Sequence, residues 1–566
     1  MQTDKTGRTE ADGNGTGAGT ALDEPDGAAG PGKVAIGITR GAALIAGLTA
    51  ISRMFGLVRT LVFAHSVGAG CLGTAYVTAN QVPNLIYELA VGGALTSAMV
   101  PVLARSAARS AADPAEKQRV AQITSALLTW CVVILLPLTV IIMAAAGPIA
   151  DLLIPTNPNA SCARPAMIGV TSTMVVIFAP QILLYGISVV LSGLLQAYRR
   201  FTGPTLAPVI ANVVMISSYL GFAALDHGRS IAATPLAAEL VLSIGTTMNI
   251  GMLVLVALPP ALRLRLRIRP TFSFPAGVTG RVGGLALVGV LEFLAGDVAS
   301  VITIDLANGH GQTGALVLLN YALLVYNSIT GVLALSIVTS AFPVLAASDD
   351  AALNRLCAGS TRALLLMSWL GTAMIAAVAL PAAHLLVKQP SQVSQLFQAF
   401  LLLSPAVVGQ ALIANVSRVM FTLGRLKAAA ISLVGGQLLG AVISVPLVVM
   451  APPRLTVALV SLGITIGQLA TAVPMLLVMG RIRGRSALKG VGRAAFASVA
   501  AGVAAGDVGL LLSVALPTKG ALHDVGAGAL SAVVAVVVFG LVAYALDRDD
   551  LRMVAGRVRR FVRSRA

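Results

Sequence analysis

Apolar segments long enough to cross a bilayer recur fourteen times along these 566 residues. They lie at about 41–65, 73–104, 120–147, 167–198, 204–225, 236–258, 281–306, 313–347, 363–387, 395–423, 428–450, 456–480, 491–516 and 525–546. A helix needs about 20 apolar residues to span the hydrocarbon core. Inside hydrocarbon each backbone polar group needs a partner, and a helix supplies one within its own segment. The expected fold is therefore an all-α polytopic membrane protein. Composition agrees: 57% of residues are hydrophobic and 11% charged, against about 25% charged in soluble domains. Mean hydropathy is +0.89.

Charge orients the spans. The net charge is +17, which in a soluble chain would suggest nucleic acid. Here no nucleic-acid motif appears, and the basic residues alternate between connections. With the N-terminus inside, one set of loops holds clusters such as Arg263, Arg265, Arg267 and Arg269, or Arg481, Arg483, Arg485 and Lys489. The other set holds only Arg164, Arg229, Lys388, Arg454 and Lys519. That is the positive-inside pattern, and it predicts that both termini are cytoplasmic.

The chain repeats itself. Pro101-Val-Leu-Ala104 closes the second expected span and Pro343-Val-Leu-Ala346 the eighth, and Pro180 and Ser192 align with Pro405 and Ser417. Six spans per copy give parallel repeats, an arrangement of transporters whose site lies near the midplane between the copies. The expected organisation has six parts. Residues 1–38 form a disordered cytoplasmic tail of Gly, Ala, Asp and Thr. Residues 39–260 and 281–485 form two six-helix lobes, joined by a basic cytoplasmic loop at 261–280. Residues 486–546 form helices 13 and 14, and 547–566 a basic cytoplasmic tail. No cleavable signal peptide is read at the start.

The stretch Ser52–Leu103 carries the candidate chemistry. Arg53 lies about 18 Å into the first span, near its midplane, and Arg59 about 9 Å further. Cations at such depth usually face a cavity or a ligand. Pro83-Asn84 sits inside the second span, where a freed carbonyl is tolerated only beside protein or a water-filled cavity. The reading is two spans lining a polar cavity that handles an anion, with Arg53, Arg59 and Asn84 as substrate-binding candidates. Arg53 could instead pair with Glu88. Gly56, Pro83, Gly92, Gly93, Pro101, Pro208 and Pro343 are candidate structural or hinge positions. Glu292 and Asp297, inside the seventh span, are candidates for ion coupling or for pairing with Arg53. Asn212, Asn320, Asn327 and Asn415 read as interhelical hydrogen-bond partners, and Gly435, Gly436 and Gly440 as close-packing positions. The four cysteines have no metal spacing, and no metal or cofactor is expected. Cys71 and Cys162 both fall in outside loops, so the topology allows a disulfide between them. No HExxH, GxSxG or P-loop is present, so an enzyme is not expected.

At Ser52-Arg53, Gly56, Arg59, Gly68-Ala69-Gly70, Pro83-Asn84, Gly93-Ala94 and Val100-Pro101 the sequence resembles the opening signature of the MurJ/MviN family. The run Tyr198–Ile216, YRRFTGPTLAPVIANVVMI, resembles that family's fourth-to-fifth helix junction. Span count and length match over 38–546. The resemblance implies the multidrug/oligosaccharidyl-lipid/polysaccharide exporter fold in a bacterial cell membrane. It implies flipping of lipid II, or of a related polyprenyl-pyrophosphate glycan, from the inner to the outer leaflet. It also implies a groove for the polyprenyl tail at helices 13 and 14. Membrane lipids and cell-wall synthesis proteins are the expected partners. Three positions depart from the family pattern. Thr74 stands where an Asp is common, Tyr87 and Glu88 where Arg is common, and Leu324 near where some members have an Arg. Alternatives are a flippase for another lipid-linked glycan, a multidrug exporter of the same superfamily, or a non-transporting cell-wall scaffold.

Overall fold

The computed structural model describes residues 51–88, 103, 106–107, 109–110, 113–157, 161–198, 200–228, 230–275, 279–335, 350–422, 425–516 and 520–552. The tail 1–38, Gly92, Gly93, Pro101 and Pro343 lie outside them, as does the side chain of Glu292. The described residues are helical, with no strand among them. In order the helices are α1 (51–66), α2 (Cys71–Tyr87), α3 (Pro114–Ala144), α4 (Ala146–Leu153), α5 (Arg164–Phe178), α6 (Gln181–Ala197), α7 (Thr202–Asp226) and α8 (Leu236–Leu262). There follow α9 (Thr279–His310), α10 (Ala315–Thr330), α11 (Asp350–Leu386), α12 (Pro390–Leu403), α13 (Ala406–Thr422), α14 (Leu426–Val449), α15 (Thr456–Arg483), α16 (Val491–Ala515) and α17 (Ala521–Leu546). Eleven helical segments among the described residues are long and apolar enough to cross a membrane. The chain is thus a multi-pass membrane protein. The other three expected spans fall on α1, α2 and α9; α2 is described over 17 residues, and α9 carries Glu292, Asp297 and Asp305 along its length.

Local chemistry sets the ends and breaks. Asp113 caps α3, its Oδ1 accepting from the Ala115 amide at 2.8 Å, with Pro114 at the first helical position. Pro at that position loses nothing, because its amide would be an orphan. The helix therefore starts six residues before the expected 120. Pro180 separates α5 from α6, and Pro405 separates α12 from α13. Both breaks fall at aligned prolines of the repeat, where the missing N–H interrupts the ladder. α11 begins at Asp350, earlier than the expected 363. Its first turns are polar, and a rule based on apolar length sees only the part in hydrocarbon. Those turns are held by Asn354, which accepts from Arg483 Nε at 2.9 Å and donates to Ser486 Oγ at 3.0 Å.

Small residues let helices approach. A Cβ at Gly440 would lie 2.9 Å from Gly467 Cα, and one at Gly467 would lie 2.8 Å from the Gly436 carbonyl. This crossing of α14 and α15 is small-residue packing of the membrane kind. Helices α16 and α17 dock on α11 through an alanine-rich core that includes Ala373, Ala377, Ala501, Ala505 and Ala535. At one end of this interface Arg362 pairs with Asp550 at 2.7 Å and Arg493 with Asp547 at 3.1 Å. Burial pushes the Asp550 carboxyl above its ordinary range, and the Arg362 guanidinium opposes that shift.

The expected basic loop at 261–280 is described to residue 275 and lies against the protein. Leu264 and Leu266 pack on the α3, α6 and α8 core. The Arg269 amide donates to Ser125 Oγ and the Thr271 amide to Thr129 Oγ1, at 3.0 and 3.1 Å. Trp130 and Phe272 meet edge to face at 5.4 Å. Arg263, Arg265, Arg267 and Arg269 are exposed.

Candidate functional site

The helices α1–α8 and α9–α15 enclose a polar cleft. Helices α1, α2, α6, α7 and α8 on one side and α9 and α10 on the other line a cavity of about 530 Å³. A second cavity of about 420 Å³, walled mainly by α9, α10, α13, α14 and α15, shares Gln81, Glu88, Ser300, Asn320, Leu323 and Asn327 with the first. Arg59 is the basic residue among the described lining residues, and Glu88 the acidic one. Asn84 lines the same cavity and accepts from the Tyr185 hydroxyl at 3.3 Å. Pro83, in α2, removes the amide that would have bonded the Ala79 carbonyl.

The end of the bundle that holds the α1–α2 connection is closed. Cys71 and Cys162 form a disulfide there, with Cα atoms 5.7 Å apart. Asn157 Nδ2 donates to the carbonyls of Asn308 and Gly311 at 2.6 and 2.8 Å. The Ser161 amide donates to Thr313 Oγ1 at 3.0 Å. Gln392 Nε2 donates to the Ala69 carbonyl at 2.9 Å. Gly314 has φ +88° and lies against Ala69 so closely that a side chain would not fit. The disulfide ties two segments of the α1–α8 half together, and each of the other contacts joins that half to the α9–α15 half. Beneath them Phe63 packs on Tyr76, Tyr219 and Tyr321, with ring centroids 5.4, 5.2 and 6.3 Å away. The Tyr76 hydroxyl meets those of Tyr219 and Thr246 at 3.2 and 3.0 Å. A hydrogen-bonded rim over an aromatic plug therefore separates the cleft from this end.

The two arginines of α1 take different places. Arg59 faces the cavity. Arg53 reaches across to α10, where the helix widens into a π turn at Gly331–Leu335. A Cβ on Gly331 would lie 3.2 Å from the Arg53 guanidinium, so the glycine makes room for it. Neither Arg53 nor Glu88 forms an ion pair among the described residues, so the two are not paired with each other in this structure. Six residues on an ideal helix turn Arg53 about 120° away from Arg59, which fits their facing different neighbours. Thr60 Oγ1 donates to the Gly56 carbonyl at 3.1 Å, a back-bond that bends helices, and Gly56 itself faces open space.

Asp297 is buried at 8% exposure, and its Oδ1 has no hydrogen-bond partner among the described residues. Its neighbours Gly296 and Ser300 line the second cavity. Pro208 and Tyr87 line a third cavity of about 300 Å³ between α6, α7 and α8. Tyr87 stacks on Tyr185 at 4.3 Å. Leu324 lines the main cavity, so no second cation joins Arg59 there among the described residues. Thr74 lies near the disulfide, bonded to the Gly70 carbonyl. Sequence reasoning passed over the amides Asn80, Gln81, Gln181, Asn249, Gln410, Gln437 and Gln468, all of which line the cleft. It took Asn320 and Asn327 for interhelical partners. Asn320 does accept from Gln81 at 3.4 Å, but both also line the cleft.

Comparison with known proteins places this geometry. The chain is 28% identical over 241 residues to a probable lipid II flippase MurJ from Synechocystis, covering 41% of this chain and 42% of that relative. It spans about half or less of the length of the curated relatives it matches. Its fold is like that of a lipid II flippase MurJ solved in an inward closed conformation. The TM-score is 0.66 at 15% identity, over 90% of this chain and 99% of that one. It is also like an inward-facing MATE multidrug resistance transporter of the MOP superfamily. There the TM-score is 0.59 at 15% identity, over 77% of this chain and 95% of that one. The model of the family described as lipid II flippase MurJ matches residues 63–529, and the chain belongs to that family.

Proposed function

We propose that this protein flips lipid II, the polyprenyl-pyrophosphate precursor of peptidoglycan, across the bacterial cell membrane by alternating access. One observation carries the reading: Arg59, which forms no ion pair among the described residues, is the basic residue of a polar cleft between the two halves of the bundle whose other described charged lining residue is Glu88. Moving a pyrophosphate through hydrocarbon is prohibitive, and a guanidinium stays protonated and forms paired charge-assisted bonds to phosphate. Arg53, poised on Gly331 of the other half, joins Arg59 as the lobes move apart. Asn84 donates to the same headgroup.

With both termini cytoplasmic, the sealed disulfide end faces outside, and the protein stands in a state closed to the exterior. Asp297 and Glu292 sense the coupling cation or proton. The α16–α17 pair guides the polyprenyl tail along its apolar outer face. Residues 39–260 and 281–485 act as rocking lobes, with bends at Gly56, Pro83 and Pro208. Family membership and the likeness of fold support this reading; substrate identity rests on the chemistry of the cleft.

The test is depletion of the protein in cells, followed by rescue. Wild type should clear lipid-linked precursor from the inner leaflet, Arg59→Ala and Arg53→Ala should let it accumulate, and Arg53→Lys should rescue in part. Full rescue by both alanine variants at matched expression would sink the anion-site assignment.

A further inference from the structure

The second cavity differs chemically from the first. Arg59 lies in the wall built by the α1–α8 half. The wall built by α13, α14 and α15 carries no charge among its described residues; its polar groups are Gln410, Gln437, Gln468 and Ser444. The side-chain amides of these three glutamines take part in no hydrogen bond within the described protein, and all three are half-buried. Glycines beside them leave the room they occupy. A Cβ at Gly296 would lie 2.9 Å from Gln437 Oε1, and one at Gly409 would lie 2.7 Å from Gln468 Cβ. Polar groups half-withdrawn from water are normally bonded, and an amide offers two donors and an acceptor. Three such amides on three helices, forming the uncharged α13–α15 wall of a cavity whose acidic residue, Glu88, lies on α2, present a surface for hydroxyl and N-acyl groups.

We propose that Gln410, Gln437 and Gln468 form a neutral glycan subsite. It takes the hydroxyl- and N-acetyl-bearing sugars of the headgroup while Arg59, across the cleft, takes the pyrophosphate. This rests on the flippase reading above and deepens it: the cleft is divided, with anion recognition on one half of the bundle and sugar recognition on the other. Since both ligand parts belong to one headgroup, a single molecule bridges the two halves. The glutamines then favour lipids that carry N-acylated sugars over lipids with the same pyrophosphate and no sugar.

The test uses the purified full-length protein and two fluorescent short-chain probes. One is polyprenyl pyrophosphate; the other is the same lipid bearing an N-acetylglucosaminyl–N-acetylmuramyl disaccharide. Wild type should bind the disaccharide lipid at least tenfold more tightly than the bare pyrophosphate. The triple variant Gln410→Met, Gln437→Met and Gln468→Met keeps side-chain volume and removes the amides. It should bind the two probes within twofold of each other, with affinity for the bare lipid unchanged. Arg59→Gln should weaken both probes by a similar factor.

A triple variant that keeps the tenfold preference overturns the subsite, as does one that weakens both probes equally or alters only the ion dependence of transport. If wild type binds neither probe, the flippase reading itself fails. Should the triple variant not fold, the single Gln437→Met and Gln410→Met variants replace it. Each must lose at least threefold of the preference, and retention of the full preference by both overturns the proposal.

Discussion

Asn157 is the side chain whose loss should most directly open the closed end. Its Nδ2 makes two hydrogen bonds across the halves, to the Asn308 and Gly311 carbonyls. Both carbonyls lie at the α9–α10 connection, and a Cβ on Gly309 in the same turn would lie 3.1 Å from Pro155. A net hydrogen bond contributes about 1 kcal/mol, so Asn157→Ala should raise the free energy of the closed state by about 2 kcal/mol relative to the open one. At 1.4 kcal/mol per factor of ten, that is roughly a 30-fold shift toward opening. The aromatic plug remains, so the closed state should still dominate. The assay places a cysteine at Ser300, on the cleft wall, in a background without Cys131 and Cys357. It measures the rate of labelling by a membrane-impermeant thiol reagent added from outside. Asn157→Ala should raise that rate about 30-fold, and replacing Phe63 by Ala as well should raise it further. A rate within twofold of the parent would refute the assignment of the rim as the closing contact.

Other outcomes follow from the same geometry. A cysteine at His310, on the α9–α10 connection, should react with external reagents in intact cells; reaction only from the cytoplasmic side would invert the orientation. Asp297→Asn should change the ion dependence of transport, because a buried acid at the edge of a transport cavity is costly unless used; transport with unaltered ion dependence would make it structural. Arg362→Ala strands Asp550, whose side chain is 3% exposed while that of Arg362 is 27% exposed. Breaking such a pair costs about 3 kcal/mol, the low end for buried pairs, and should lower the melting temperature in detergent. The double variant Arg362→Leu with Asp550→Leu should recover most of it, and a single variant that melts with wild type would contradict the role of the pair.

Much of the fold was legible because membrane helices announce themselves by apolar length. Pro180 and Pro405 were legible as a mark of the repeat, but the expected spans 167–198 and 395–423 run through them, whereas the helices break there because a proline has no N–H to give. Of the three glycines expected to pack closely, Gly436 and Gly440 do so against α15, while Gly435 faces open space. The Asp113-Pro114 start of α3 was also readable as a cap followed by a first-turn proline, but a search keyed to apolar residues stepped past it. α4, at eight residues, is too short for any length rule.

The site was half legible. Arginines at membrane depth stand out, and Arg59 does line the cleft. That Arg53 rests on Gly331 could not be read, because it depends on how two halves of the chain meet. The amides escaped for a different reason: Asn and Gln are neither charged nor periodic, and in a span they fit helix packing as well as ligand binding. Gln81 and Asn320 meet across 239 residues of sequence, a pairing no local pattern encodes. Cys71 and Cys162 could be assigned to one side of the membrane by loop charge, but their proximity is a property of the folded bundle.

The most direct measurement is translocation in reconstituted vesicles. Fluorescent polyprenyl-pyrophosphate disaccharide is placed in one leaflet, and its appearance in the other is followed with wild type and with Arg59→Ala at equal reconstituted amounts. The expected result is protein-dependent transfer by wild type and transfer at the rate of empty vesicles for Arg59→Ala. Transfer by Arg59→Ala at the wild-type rate would contradict the account.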